Sequence, residues 1–368
     1  MVKLKILSIA AIALTVISVA SARAEILIAI AGPFTGRNIF RGEQIQHGAE
    51  LAVADINERG GVLGERVELL IADDACDPEQ AVAVAKKLVS DGVVFVAGHT
   101  CSHSSIPASK VYEAAGVLMI SPASTNPRLT DEGGDNVFRV CGRDDQQGAV
   151  AGDYLAEVWG DKKIAILHDG STYGEGLADE TRKQLNKRGI AEAVYEAYTP
   201  GARSYSKLVA RLQTAGVDVV YIGGYSAEVG LIVRQARDRG YGAQFIAGDA
   251  VTNDEFWMIT GPTGEGTLVT FGPDPRKNTA AAPVLDRFRD LGFEPAGYTL
   301  HTYAAVQVWA QAVEEAGTLD LDGVVHSLRR GRFETVLGKI GFDEKGDATV
   351  RGYVWYVWQN GKYVSAPQ

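Results

Sequence analysis

Positive charge is in short supply in this sequence: 36 Lys and Arg stand against 46 Asp and Glu, a formal net charge of −10. A nucleic-acid partner, which needs a basic face, is therefore not expected. Catalytic signatures are missing too. The chain has no HExxH, no G-x-S-x-G, no Walker A motif and no CxxC, so no nucleophile–base pair or phosphate loop can be assigned. No enzymatic activity, cofactor or metal is expected. The six histidines offer no convincing metal pair, because His99 and His103 are four apart with Cys101 and a turn between them. Gly174-Glu175-Gly176 resembles part of a dinucleotide fingerprint but stands seven residues past the strand ending at Leu167. A pyrophosphate loop needs its glycines directly after the strand, so these residues read as a helix start.

Long apolar runs are confined to the N-terminus. Lys3 and Lys5 precede an apolar stretch from Ile6 to Ala20, and Ala22-Arg23-Ala24 fits a small-x-small cleavage site. Residues 1–24 thus read as a signal peptide for export to the periplasm, with Glu25 as the new N-terminus. An uncleaved anchor is the alternative. No later run reaches 18 apolar residues. Export permits disulfides, and only three cysteines are present. Cys76 and Cys101 each follow a predicted strand of one βαβ unit, on the same sheet edge. Pairing them closes a loop of about 26 residues, worth roughly 3–4 kcal/mol in the chain-entropy model. Cys141 would remain buried and inert; three buried free thiols are the alternative.

The 368 residues exceed what a single core normally holds, so two domains are expected. Short Val/Ile/Leu runs alternate with amphipathic segments. Strands are predicted at Ile26–Ala31, Val67–Ile71, Val93–Val96 and Val117–Ile120. Helices intervene: Ile45, Ala49, Ala52 and Ile56 share one helix face, and Asp77-Pro78-Glu79-Gln80 is a capping-box start. The pattern restarts with strands at Ile164–Leu167, Val194–Ala197, Val219–Ile222 and Phe245–Ala247. Near-continuous apolar strands between helices imply α/β architecture with parallel, doubly wound sheets. After Gly272 come helices at Ala280–Leu291, Tyr298–Ala316 and Leu321–Arg329, then a strand at Val350–Trp358. This tail has too few strands for a sheet of its own and is expected to return to the earlier units.

Two loops at strand C-termini draw attention. His99-Thr100-Cys101-Ser102-His103-Ser104-Ser105 opens a helix, and Ser121-Pro122-Ala123-Ser124-Thr125-Asn126-Pro127 follows the next strand. Their hydroxyls and backbone N–H groups suit a carboxylate held without a basic residue, although such loops also serve simply to cap helices. The second unit supplies Tyr173, Tyr225 and Asp249 at its strand ends. Phenols can close over an apolar body, and an acid can meet an ammonium.

These residues carry a family resemblance. The stretches AVADINERGG, DDACDPEQAVAVA, VAGHTCSHSS, PASKVYEAAGVLMISPAST, ILHDGSTYGEGLA, LVARL, YIGGY, IVRQAR, HTYAAVQ and FDEKGD resemble the leucine/isoleucine/valine-binding proteins of ABC transporters. The resemblance implies a type I periplasmic binding fold with two Rossmann-like lobes joined by a three-crossing hinge. Lobe 1 would span 25–143 plus 273–350, and lobe 2 would span 144–272 plus 351–368. It implies ligand binding by Ser102, Ala123 and Thr125, with Thr100, Cys101 and Ser124 in the same loops. Tyr173 and Tyr225 would close from the second lobe, Asp249 would face the ammonium, and Tyr298 would lie near the ligand side chain. The Cys76–Cys101 pair fits as well. The partners implied are an amino acid and a membrane permease, with the protein acting as a monomer.

The sequence also departs from that family. Thr100 stands where a Leu is expected, and Asp249 where Glu is usual. The loop Thr35–Gly42, with Arg37, Asn38, Phe40 and Arg41, stands where a tyrosine is expected near the ligand, so Phe40 or Arg41 can enter the cleft. A branched-chain, other small neutral, more polar or γ-amino acid therefore fits the reading. The alternative is another small acid, such as an aromatic acid or amide.

Overall fold

The computed structural model describes residues 25–349 and 352–367. The expected leader over residues 1–24 lies outside them, as do the first two residues of the expected 350–358 strand.

The first sheet is built from β1 (Glu25–Gly32), β2 (Arg66–Asp73), β3 (Phe95–Gly98), β4 (Leu118–Ser121) and β5 (Val137–Arg139). All its pairings are parallel and its order is β2-β1-β3-β4-β5. Between the strands run α1 (Ile39–Glu58), α2 (Pro78–Ser90), α3 (Ser102–Ala115) and the short α4 (Arg128–Asp131). Helix α2 begins as its sequence requires: the Asp77 side chain accepts from the Gln80 N–H at 2.8 Å, and Pro78 takes a position that needs no N–H partner.

The second sheet repeats the plan. Helix α5 (Asp144–Trp159) leads into β6 (Ile164–His168), α6 (Thr172–Lys187), β7 (Val194–Ala197), α7 (Ser206–Ala215) and β8 (Val219–Gly223). Then follow α8 (Ser226–Asp238), β9 (Gln244–Ala247), α9 (Asp254–Thr260) and β10 (Leu268–Phe271). The chain next returns to the first lobe with α10 (Ala282–Asp290), α11 (Thr299–Ala316), α12 (Leu321–Arg330) and a hairpin of β11 (Phe333–Thr335) and β12 (Gly338–Ile340). It ends in β13 (Val354–Gln359) and β14 (Lys362–Ser365). These two strands pair antiparallel onto β10, so the second sheet has seven strands in the order β14-β13-β10-β9-β8-β6-β7. The chain thus leaves the first sheet after β5, leaves the second after β10, packs α11 against α1, and rejoins the second sheet at β13.

Several elements lack a sequence signal: α5, the short helices α4 and α9, the short strands β5, β10 and β14, and the β11–β12 hairpin. Helix α5 hides its period because its buried face carries Gly148, Ala151 and Gly152 beside Leu155. The glycines have a packing cause. A Cβ on Gly148 would lie 2.6 Å from the Glu180 Cβ, and one on Gly152 2.7 Å from the Gln184 Cβ, both on α6.

In each lobe the parallel core reads second-first-third-fourth-fifth in chain order, so the strand order reverses between β1 and β3 and again between β6 and β8. Crevices open at such reversals, beyond the strand C-termini. The loops after β3 and β4 therefore face those after β6, β8 and β9. The core behind them is dry: Phe95 on β3 stacks on Trp309 of α11 with centroids 5.2 Å apart, and both are buried. Burying side chains of this size contributes roughly 2–3 kcal/mol each.

Candidate functional site: a cleft between two lobes

The first wall comes from lobe 1. Ser102 opens α3, and its Oγ accepts the Asn126 N–H at 3.3 Å, joining the two sequence-singled loops. Thr100 and Thr125 are buried; the Thr100 hydroxyl has no partner among the described residues, and the Thr125 hydroxyl lies beside the Asp144 carboxyl. Ala123 is buried in the same loop, with its N–H 3.4 Å from Ser121 Oγ. Two residues singled out from sequence turn away from the crevice. Ser124 directs its hydroxyl at Ser105 Oγ and at the His99 carbonyl, 3.3 Å away. Cys101 is joined to Cys76 in a disulfide, with Cα atoms 5.6 Å apart.

The Cys76, Cys101 and His103 side chains lie within ligating reach of one another. The sulfurs are spent in the disulfide, however, and His103 Nε2 lies 2.6 Å from the Cys76 carbonyl. They fit no metal. Cys141 is free and buried, and burial pushes its thiol up to about 12, so it is unreactive.

The second wall comes from lobe 2. Tyr173 in the first turn of α6, Tyr225 capping α8 and Asp249 after β9 are all buried. Asp249 is held by two phenols: Tyr173 donates to one carboxylate oxygen at 2.9 Å and Tyr298 to the other at 2.5 Å. Tyr298 caps α11 and therefore reaches across from lobe 1. Burial first, then the Asp249 carboxylate, hold the Tyr173 and Tyr298 phenols well above their usual range, so both act as donors. The Tyr225 hydroxyl has no partner among the described residues. A Cβ on Gly248 would lie 2.7 Å from the Tyr173 hydroxyl, so only glycine leaves room for this phenol.

The walls meet at several points. Asn126 Nδ2 donates to the Thr172 carbonyl at 2.8 Å, and Gln44 Nε2 to the Thr252 carbonyl at 3.4 Å. The His103 and Tyr225 rings meet edge to face at 6.4 Å. The Arg41 guanidinium lies between Tyr225 and Tyr298, 5.4 Å from each ring centroid. Phe40, its neighbour, is half-buried. A cavity of about 280 Å³ remains at the mouth, lined by Arg37, His103, Asp169, Tyr225 and Glu228. A larger one of about 560 Å³ lies on the hinge side, among Val140, Pro273, His301 and Tyr353. The larger cavity touches none of the residues just described, so the polar convergence marks the cleft better than cavity size does.

Sequence reasoning missed the groups that hold the first wall in place. Arg139, fully buried at the end of β5, donates from Nη1 to the Ser124 and Asn126 carbonyls at 3.0 Å each. Its Nε lies 2.5 Å from Asp347 Oδ1, and Arg143 Nη1 lies 2.7 Å from Asp347 Oδ2. Asp347 ends the FDEKGD stretch, so a segment 208 positions away fixes the loop. His99, in the loop after β3, is buried, with Nδ1 2.6 Å from Asp74 and Nε2 2.9 Å from the Tyr112 hydroxyl. Asp144, the first residue of α5, is fully buried with both oxygens unpartnered. Burial, reinforced by Asp249, holds its carboxyl well above the usual range. No local pattern marks such residues, because their partners are remote in sequence.

The family model for periplasmic binding proteins matches residues 25–362. The chain is 51% identical over 342 residues to a Leu/Ile/Val-binding protein homolog 1 of Brucella suis, covering 93% of this chain and 92% of the relative. It is 45% identical to a leucine-, isoleucine-, valine-, threonine- and alanine-binding protein of Pseudomonas aeruginosa, covering 90% of each. Among solved structures it is similar to the leucine-binding protein LivK of Thermotoga maritima, with a TM-score of 0.85, 28% identity and coverage of 93% and 98%. It is also similar to LivJ of Streptococcus pneumoniae in complex with isoleucine, with a TM-score of 0.83, 25% identity and coverage of 93% and 100%.

Proposed function

Since this chain belongs to the periplasmic binding protein family, we propose that it captures a small amino acid between its two lobes and delivers it to the permease of an ABC transporter. The family is one of solute-binding proteins, not enzymes, and its place is the periplasm. The observation that carries the reading is Asp249: a buried carboxylate, in no ion pair, faces hydroxyls across an inter-lobe seam. Asp249 opposite hydroxyl donors matches the two ends of a zwitterion, with the Asp144 carboxyl, held well above its usual range, beside Thr125.

Ser102, Thr125 and the N–H groups around Ala123 take the α-carboxylate in this reading, and Thr100 lies beside them. Asp249, oriented by Tyr173 and Tyr298, takes the ammonium, while Tyr225 covers the ligand. Cys101 and Ser124 contribute only through backbone and loop position. Capture is domain closure: the ligand docks on lobe 1 (25–143 plus 273–350), and lobe 2 (144–272 plus 351–368) then rotates onto it. Residues 1–24 serve as the cleaved export signal, and the mature protein acts as a monomer.

The names of the relatives at 45–51% identity support an amino acid over an aromatic acid. So does Asp249, which an acid without an ammonium would leave facing another anion. Isothermal titration of refolded, ligand-free protein with the α-amino acids and γ-aminobutyrate tests the proposal. Heat with at least one is expected, and heat with none overturns it.

A further inference from the structure

We infer that the ligand's side chain carries an oxygen that accepts hydrogen bonds, and that Arg41 selects for it; this rests on the amino-acid reading above. Arg41 is only 5% exposed. A guanidinium carries five N–H donors, and a buried cation is costly unless those donors are met. Here the Nε has no partner, and no carboxylate of the described residues lies within 4.0 Å of the group. Two ring faces, Tyr225 and Tyr298, flank it at 5.4 Å. Ring faces stabilise the cation's charge but do not replace oxygen acceptors for its in-plane N–H groups. These rings come from opposite lobes, so the cation lies at the seam where a captured ligand would sit.

A second polar atom points the same way. Thr100 Oγ1 is buried and unpartnered. A Cβ on Gly32 would lie 2.6 Å from that oxygen and also against the Ile45 side chain, which places the Thr100 hydroxyl beside Ile45. Ile45 follows Arg41 by one turn on α1. Two groups that need hydrogen-bond partners therefore lie along one face of α1, where a purely aliphatic side chain would leave both unmet. Hydroxyl, amide and carboxylate side chains all supply the missing acceptor. A site built around such donors rejects an isostere lacking the oxygen, because its own groups are then buried unpaired.

Two pairs of near-isosteric ligands test this: threonine against valine, and asparagine against leucine. Titration of the wild-type protein is expected to favour the polar member of each pair by about tenfold or more, a typical loss for an unmet hydrogen bond to a charged group. Arg41→Met is expected to bring each ratio within about twofold. Equal or tighter binding of valine and leucine by the wild type overturns the inference. So does an Arg41→Met protein that weakens both members equally, since Arg41 would then serve the α-carboxylate. Should Arg41→Met fail to fold, the wild-type ratios still decide, and Arg41→Lys keeps the charge while losing the fork. If none of the four ligands, no other α-amino acid and no γ-aminobutyrate binds, the amino-acid reading fails instead.

Discussion

The two walls of the cleft are organised differently. Lobe 1 presents a wall held by its own lobe: Ser121 Oγ donates to the His99 carbonyl at 2.8 Å, Arg139 grips the carbonyls of residues 124 and 126, and a disulfide ties the Cys76 turn to the start of α3. Lobe 2 presents side chains with partners on both sides of the seam: Tyr173 donates to Asp249 and packs on Tyr225 within the lobe. Asp249 takes a bond from Tyr298, and Tyr225 lies against Arg41 and His103. One wall is braced from within its lobe, while the other also leans on groups across the seam. A wall braced in this way lowers the ordering cost of first contact, and the second can respond to what is already bound.

The severest way to break this contrast is Arg139→Met. Asp347 would lose one of its two arginines and the loop carbonyls their donor, at a cost of about 3–4 kcal/mol in urea denaturation, with weaker ligand binding alongside. Unchanged stability would mean that the loop holds its own shape. Asp249→Ala attacks the other wall. Affinity is expected to fall by about 3 kcal/mol, more than a hundredfold by titration, with a smaller loss in unfolding free energy. A larger effect on stability than on affinity would make Asp249 a structural residue of lobe 2.

Smaller changes sharpen the contrast. Tyr225→Phe removes one unpartnered hydroxyl and should cost about 1 kcal/mol of affinity, with stability unchanged or slightly raised. Glu255 on α9 is a smaller lever: burial, and then the nearby Glu228, raise its carboxyl from 4.5 to about 7, with Arg41 opposing. Its folded form binds a proton more tightly than the unfolded form. The stability it contributes is therefore complete below about pH 4.5 and is lost as pH rises through about 7. Glu255→Gln should flatten the pH dependence of the melting temperature across that window. The effect is on the order of 1 kcal/mol or less, since the group is partly screened by solvent.

Much of this architecture was legible in residue pattern. The run Ile26–Ala31 lies within β1, the Asp77 cap forms as its spacing required, and Tyr173, Tyr225 and Asp249 do gather on one wall. Strands such as β5 and β10 escaped because three or four residues are too few to display a period. Helix α5 escaped because close helix contact demanded glycine where a helix pattern looks for leucine. The bracing by Arg139 escaped for a different reason: a buried arginine is readable only with its partner, and Asp347 stands on a segment that returns from the far end of the chain.

That return has a consequence for how the molecule is made. Trp309, which covers β3, is synthesised long after the strand it shields, and β10 waits for β13 to pair its open edge. Each lobe is therefore completed only by residues from the last part of the chain to be made.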